Sequence, residues 1–283
     1  MKKIQLAVVS ALLMSSASVF AADRVIVSDK SCASLPTQAQ LQAALAASVS
    51  LSAGGTDAPV DANGVSTTSG GLGFPMWATM VNSSGRVCAV AKVGGTDPWP
   101  GSRVISAQKA YTANAFSNEK LALSTANLFT AVQPGGSLYG LQHSNPVNPL
   151  FAYAGDSALF GTASDPMVGF RVGGINVFGG GLALYNASNQ VVGAIGVSGD
   201  TSCADHQVAW KLRGALVGKG TVVNKVPKGV NTVAATNPPA KGDDNIIFDL
   251  TTAANGTVSS TSGFGHTSGC LNQKAPLLSN VTN

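Results

Sequence analysis

The spacing of apolar residues changes along this chain, and each change marks an element. In an alanine-rich stretch, apolar side chains recur every four residues, which predicts a helix over 37–51 with Thr37 as its N-cap. Two β-prone runs follow, FPMWATMVN and RVCAVAKVG. The residues between them, Ser83-Ser84-Gly85, are typical of a turn. The pattern therefore predicts a buried hairpin after the first helix.

Helical spacing returns after the hairpin. It predicts a helix over 102–116 with Ser102 as its cap. Lys109 is expected on the solvated face of this helix, and the alternative is that it points into a ligand cleft as an anion partner. A second helical piece is expected over 119–129. The segment 134–178 has no sustained period but carries several aromatic residues, so it is predicted to be a long loop insert. A connection of this length inside a compact domain is usually functional.

The next section of the chain predicts two strands and a helix. The strands flank residues 186–189, and the spacing of Ser202 and Asp205 is that of a capping box opening a helix. After about Gly218 the chain is poor in charge and has one strand candidate, NIIFDL. Together the patterns predict one α+β domain with a long C-terminal extension.

The N-terminus has the features of a secretory signal. Lys2 and Lys3 precede an apolar run, and small residues end at Ala21, so residues 1–21 are expected to be removed during export. The run is too short for a membrane anchor, and no later segment is long and apolar enough to span. We therefore expect a periplasmic or secreted protein with no membrane segment, a domain over 22–217 and an extension over 218–283.

Composition excludes several functional classes. The 283 residues carry a formal charge of +4 with 11% charged residues and no basic cluster, so nucleic acid is not an expected partner. Glu119 is the sole glutamate, so paired-carboxylate chemistry is poorly supplied. The glycine clusters lack nucleotide-loop spacing, and Ser198 lacks a hydrolase elbow.

Four cysteines in an exported chain predict two disulfides, with three possible connectivities. We expect Cys32–Cys88 and Cys203–Cys270, because each pair would fasten a terminal segment to the nearest element of the domain.

The chain from about 74 to 216 resembles the GlcG/HbpS-type haem-binding family. The residues that carry the resemblance are Lys109, Ala110, Thr112 and Ala113 in a helix motif, Gly193, Gly196, Ser198 and Gly199 in the last strand, and Asp205 on the final helix. The resemblance implies a profilin-like fold, an antiparallel sheet packed with helices, often in homo-oligomers. It also implies haem or another tetrapyrrole as ligand, with haem degradation proposed for some members.

Three departures accompany the resemblance. The insert over 134–178 is longer than in compact members, and the usual proline after the Gly-Gly pair is replaced by Gly181-Leu182-Ala183. Some members bind haem through a histidine on the first helix, whereas the helix predicted over 37–51 has none.

The histidines are His143, His206 and His266, so each is a candidate ligand. A Cys203–Cys270 bridge would bring His206 and His266 together as a pair for a divalent ion or as an axial ligand for haem iron, with His143 as a further candidate. The same residues could form a Cys2His2 zinc site, although an oxidising compartment favours the disulfide. Each imidazole could also be an ordinary polar side chain.

These expectations combine into one functional hypothesis with two alternatives. The first is an exported protein that binds haem or a related small molecule near His206, in a pocket formed by the last helix and the insert, to which a neighbouring subunit could also contribute. The second is an enzyme that degrades haem or acts on a small metabolite. The third is a structural or signalling module without a ligand.

Overall fold

The computed structural model describes residues 32–49, 71–94, 98–232 and 242–268. Its helices and strands are α1 (Gln38–Val49), β1 (Met76–Asn82), β2 (Val87–Val93), α2 (Pro100–Ala115), α3 (Leu141–Ser144), α4 (Pro149–Ala152), β3 (Gly181–Tyr185), β4 (Val191–Ser198), α5 (Ser202–Leu216), β5 (Leu250–Thr252) and β6 (Val258–Ser260). No helix in these ranges is long and apolar enough to cross a membrane.

Four antiparallel strands form the central sheet in the order β2-β1-β4-β3. Alternate side chains of β1 point to opposite faces of the sheet. Ala78 and Met80 enter the core beneath α1 and α5, whereas Trp77 and Val81 enter the core beneath α2. The prediction of an α+β fold with an antiparallel sheet packed with helices is therefore confirmed.

The first helix and the hairpin form where the pattern predicted them. Thr37 and Gln40 cap α1 reciprocally: Thr37 Oγ1 accepts from the Gln40 N–H at 3.3 Å, and Gln40 Oε1 accepts from the Thr37 N–H at 2.8 Å. In the hairpin turn, Asn82 Oδ1 accepts from the Ser84 N–H at 3.0 Å, and Gly85 adopts a φ of 75°. That left-handed conformation suits glycine, so the local sequence sets this turn.

Two predicted caps are displaced. Helix α2 begins at Pro100 with Trp99 as the N-cap, and Ser102 lies buried inside the first turn, because proline is already fixed in the conformation of a helical N1 position. In α5 the N-cap is Thr201, whose side chain accepts from the Ala204 N–H at 3.4 Å. The predicted helix over 119–129 is also wrong, since only a 3-10 turn at Thr125–Leu128 forms.

The C-terminal extension is less regular than its strand candidate suggested. Residues 245–249 run without regular structure, and pairing begins only at Leu250, where β5 meets β6. The extension nevertheless packs against the domain. The Arg213 guanidinium forms a buried ion pair with Asp244, with both N–O distances 2.7 Å.

The insert over 134–178 is held on α2 by a second buried ion pair. Arg103 Nε donates to Asp165 Oδ2 at 2.9 Å, and Nη1 donates to the Ala152 carbonyl at 2.8 Å. The guanidinium carbon also lies 3.7 Å from the Phe160 ring centroid. One arginine thus fixes the insert through charge, hydrogen bonding and ring contact.

One of the two predicted disulfides is confirmed. Cys32 and Cys88 are bonded, with a Cα–Cα distance of 5.5 Å, and join the segment before α1 to β2. Cys203 is buried, its Sγ lies 4.0 Å from the Thr267 carbonyl, and no cysteine in the described ranges is a free thiol. Cys270 lies outside the described residues, as does the predicted signal at 1–21, so the second bridge stays a prediction.

Helix α2 approaches the sheet so closely that β4 must carry glycine at position 196. A Cβ on Gly196 would lie 2.0 Å from the Ser106 carbonyl oxygen and 2.5 Å from the Ala110 nitrogen, both backbone atoms. We expect Gly196→Ala to lower the free energy of unfolding by about 3 kcal/mol, because the helix must move away from the strand.

Urea denaturation provides the measurement. Gly218→Ala is the control, since a Cβ there would meet no atom of the described residues within 4 Å and should cost only the roughly 1 kcal/mol of its left-handed conformation. Equal losses in the two variants would contradict the close approach.

Candidate functional site

A cleft of about 530 Å³ opens at the end of the sheet where β1 begins and β4 ends. Its walls are large apolar side chains, and its inner end is formed by the last residue of β4 and the start of α5. The wall residues are Leu72, Phe74, Trp99, Ile105 and Phe178, and the inner residues are Ser198, Gly199, Asp200, Thr201 and Asp205. Trp99 is 67% exposed and Phe74 is 51% exposed.

Asp200 holds one wall of the cleft in place. Its carboxylate accepts from the backbone N–H of Leu72 at 2.9 Å and from that of Phe74 at 3.0 Å. A Cβ on Gly71 would lie 2.3 Å from Asp200 Oδ1, so glycine allows this approach. The segment before β1 is thereby fastened to the start of α5.

The inner end of the cleft is built on the third buried ion pair. Lys109 on α2 reaches past the end of the sheet to α5, where Nζ donates to Asp205 Oδ2 at 2.7 Å and to the Val197 carbonyl at 2.9 Å. Glycine at 180 leaves room for this path, since a Cβ there would lie 3.3 Å from Nζ. Lys109 is fully buried, so its expected place on a solvated face is wrong.

Burial dominates the electrostatics of this pair. It raises the pKa of Asp205 to about 6, although the neighbouring Lys109 ammonium lowers that pKa. Burial also lowers the pKa of Lys109, and the Asp205 carboxylate opposes that shift. The inner end of the cleft therefore carries a carboxyl group that can accept a hydrogen bond or exchange a proton near neutral pH.

His206 lies on α5 beside Asp205 but faces the C-terminal extension. Its Nε2 is 3.1 Å from Asn245 Oδ1 and accepts from the Ile246 N–H at 3.2 Å. Nδ1 is buried and has no hydrogen-bond partner among the described residues. Desolvation lowers the pKa of His206 to about 3, so the imidazole is uncharged at neutral pH.

Both ring nitrogens of His266 are engaged. Nδ1 lies 3.0 Å from the Thr267 carbonyl, so it donates, and Nε2 then accepts from the Ser202 hydroxyl at 2.7 Å. The same hydroxyl accepts from the Gly179 N–H at 2.7 Å. Burial lowers the pKa of His266, which fits a neutral ring that fastens the extension to α5.

The structure brings together two of the three candidate histidines. His206 on α5 and His266 on the extension both lie where these two segments meet, since His206 contacts Asn245 and His266 contacts Ser202. His143 is exposed on α3 of the insert. None of the three lines the cleft. The described ranges contain no group of three or more His, Cys, Asp or Glu side chains placed for a metal ion, and the ligand roles of these histidines stay predictions.

Sequence patterns missed the walls of the cleft. Trp99, Phe74 and Asp200 lie at the ends of three different elements, and no period connects them. A signal was present, since Pro98-Trp99-Pro100 places an aromatic residue between two prolines just before a helix. Asp205 was singled out as a capping-box residue and through the family resemblance, but not as a residue of the cleft.

An antiparallel sheet between helical layers, with a cleft beside the N-terminus of α5, matches the fold that the resemblance implied. The model of a family described as haem degrading protein HbpS-like matches residues 62–212, and the chain belongs to this family. Over 138 residues it is 30% identical to an uncharacterized 15.0 kDa protein in the dhaT-dhaS intergenic region of Citrobacter freundii, covering 49% of this chain and 73% of that protein.

Two solved structures are also similar to the chain. A PduOC:heme complex is 21% identical with a TM-score of 0.41, covering 65% of this chain and 94% of the other. The Klebsiella pneumoniae protein ORFY is 25% identical with a TM-score of 0.39, covering 64% and 89%.

The described lining of the cleft suits the flat faces of a haem but not its iron or its propionates. Its aromatic and aliphatic walls suit the faces of a flat macrocycle. Among the described residues, those that line it include no histidine, tyrosine, cysteine or methionine, so they offer no usual axial ligand for iron. Asp200 and Asp205 at the inner end also disfavour a propionate there.

Proposed function

We propose that this chain is an exported small-molecule-binding protein that takes haem or a related tetrapyrrole into the cleft through apolar stacking. The observation that carries the proposal is the grouping of Leu72, Phe74, Trp99 and Phe178, all 51% exposed or more, around one concave site. Apolar side chains gathered in this way usually mark a binding site.

The volume and the family description support the same proposal. About 530 Å³ lies within the ordinary range of small-molecule pockets, roughly 300–1,000 Å³. The family description names haem. Because the described lining of the cleft offers no usual iron ligand, we infer that the macrocycle is held mainly by its faces, with its propionates towards solvent.

Hemin and metal-free protoporphyrin IX, titrated separately and followed by quenching of tryptophan fluorescence, test this proposal. We expect the two dissociation constants to agree within a few-fold. Trp99→Ala and Phe74→Ala should each weaken binding of both compounds by about tenfold, as expected for the loss of one aromatic contact. Tyr139→Ala is the matched control, since Tyr139 is 69% exposed but lies outside the cleft.

Two outcomes would contradict apolar stacking. Binding of hemin alone, lost in His206→Ala or His266→Ala, would show iron ligation by the predicted imidazoles instead. Binding of neither compound would overturn tetrapyrrole recognition altogether.

Export and assembly are further parts of the proposal. We propose that the mature chain begins at Ala22, carries the Cys203–Cys270 bridge and forms a homo-oligomer. Native, non-reducing mass spectrometry of protein from the periplasm and the medium reports the N-terminus, the bridges and the subunit number together. A chain that keeps residues 1–21 would contradict export by cleavage.

The second candidate function is an enzyme acting on the bound molecule. The pKa of about 6 at Asp205 favours it, because a carboxyl group that titrates near neutral pH suits general acid–base catalysis. Turnover of a bound compound that is lost in Asp205→Asn while binding remains would support this candidate over binding alone.

A further inference from the structure

Asp205 is buried at the inner end of the cleft, yet its described contacts leave acceptor capacity unused. Oδ1 accepts from the Asp200 N–H at 2.9 Å, and Oδ2 accepts from Lys109 Nζ at 2.7 Å. An ionised carboxylate can accept about four hydrogen bonds. The residue is 2% exposed, so bulk water has little access to the remaining positions.

The position of this carboxylate is fixed from two sides. Lys109 is itself held by the Val197 carbonyl, and Asp200 supplies a backbone donor from the turn before α5. The carboxylate is therefore presented at a defined place at the end of an apolar cleft. A ligand edge that reaches it meets an acceptor with little competition from water, which makes the polar contact selective.

We propose that Asp205 determines specificity in the cleft, which takes flat aromatic molecules whose leading edge carries an O–H or N–H donor. Lys109 acts as a positioning residue for that acceptor. This inference rests on the proposed binding at the cleft and adds the chemistry of the ligand's buried edge. The edge of haem opposite its propionates carries only carbon substituents, so the inference favours a related tetrapyrrole with a donor on its edge over haem itself. Asp200 and Asp205 outnumber Lys109 in charge, so an anionic leading edge is disfavoured.

A pair of probes that share one ring system tests the inference. 2-Naphthol carries the donor, whereas 2-methoxynaphthalene has a methyl group in its place. Binding of each at neutral pH is followed by tryptophan fluorescence. We expect the wild-type protein to bind 2-naphthol about tenfold more tightly, as expected for a hydrogen bond to a charged acceptor.

The decisive variant removes both charges together. Lys109→Met combined with Asp205→Leu leaves no unpaired charge in the interior, so the fold should survive. We expect the preference for 2-naphthol to disappear, with 2-methoxynaphthalene binding unchanged within about threefold. Arg213→Met combined with Asp244→Leu is the control, because this other buried ion pair also involves α5 but lies outside the cleft. It should keep the tenfold preference.

Each of the other outcomes contradicts a specific part of the inference. Equal binding of the two probes by the wild-type protein, or a preference that persists in Lys109→Met with Asp205→Leu, overturns the role of Asp205 and leaves apolar binding standing. Failure of both probes to bind overturns the inference and counts against the cleft as the binding site.

Discussion

Lys109→Met will lower the free energy of unfolding by about 3–5 kcal/mol, because it leaves the Asp205 carboxylate buried without its partner. The remaining carboxylate has few alternatives. It is almost fully buried, and its other described contact is a single backbone N–H. Urea denaturation at neutral pH measures the loss. The slope of the unfolding free energy against urea concentration should be the same in the variant and the wild type.

The double variant separates the charge from the lysine stem. Lys109→Met with Asp205→Leu should recover most of the loss, to within about 2 kcal/mol of wild type, because no charge is then buried alone. Lys120→Met is the control, since Lys120 is exposed and its loss should change stability by no more than about 0.5 kcal/mol. A double variant as unstable as the single variant would show that packing, rather than charge, dominates at this place.

Much of the fold was predictable because it depends on local pattern. Helix α1, the β1–β2 hairpin, α2, both later strands and α5 follow from apolar spacing, glycine turns and short polar caps. The N-cap of α2 is Trp99 rather than the predicted Ser102, because proline is favoured at the first position of a helix and Pro100 occupies it. The expected helix over 119–129 does not form, because local side chains satisfy its backbone hydrogen-bonding groups instead. Asn118 Oδ1, for example, accepts from the Lys120 and Leu121 N–H groups.

The candidate site was less predictable because tertiary contacts decide it. Lys109 carries no local sign of burial. Its position depends on Gly180 and Gly196, more than 70 residues away, which let α2 approach the sheet and let Nζ reach α5. The histidines attracted attention because they are few, yet two of them lie where α5 and the extension meet rather than in the cleft. Scarcity of a residue type does not indicate where it faces.

The three buried ion pairs in the described part of this weakly charged chain have a common arrangement. Arg103–Asp165 joins α2 to the insert, Lys109–Asp205 joins α2 to α5, and Arg213–Asp244 joins α5 to the extension. A buried pair contributes little net stability compared with apolar packing, but a wrong pairing is costly. We infer that these pairs fix the positions in which the segments they join dock on the sheet. Apolar contacts alone define these positions less closely.

Acidification from pH 7 to about pH 4.5 will lower the free energy of unfolding by roughly 2–3 kcal/mol through His206. The unfolded chain takes up a proton on this imidazole near pH 6.5, whereas burial lowers the folded pKa to about 3. The contribution of His206 is therefore complete above pH 6.5 and is lost as the pH falls towards 3. His266 acts in the same direction, because burial lowers its pKa as well.

Asp205 acts in the opposite direction, so the effect of His206 must be isolated by comparison. Its folded pKa of about 6 lies above the usual 3.8, and folding is favoured by proton uptake as the pH falls between these values.

The free energy of unfolding, measured against pH for both wild type and His206→Gln, isolates His206, because the Asp205 contribution is the same in both proteins. A constant cost of the substitution does not alter the slope against pH. His143→Gln, which removes an exposed histidine, is the control and should keep the wild-type slope. We expect His206→Gln to lose about 2–3 kcal/mol less than wild type on acidification, since glutamine takes up no proton. An unchanged slope in His206→Gln would mean that this imidazole is accessible to protons in the folded protein, and that the extension does not seal it against α5.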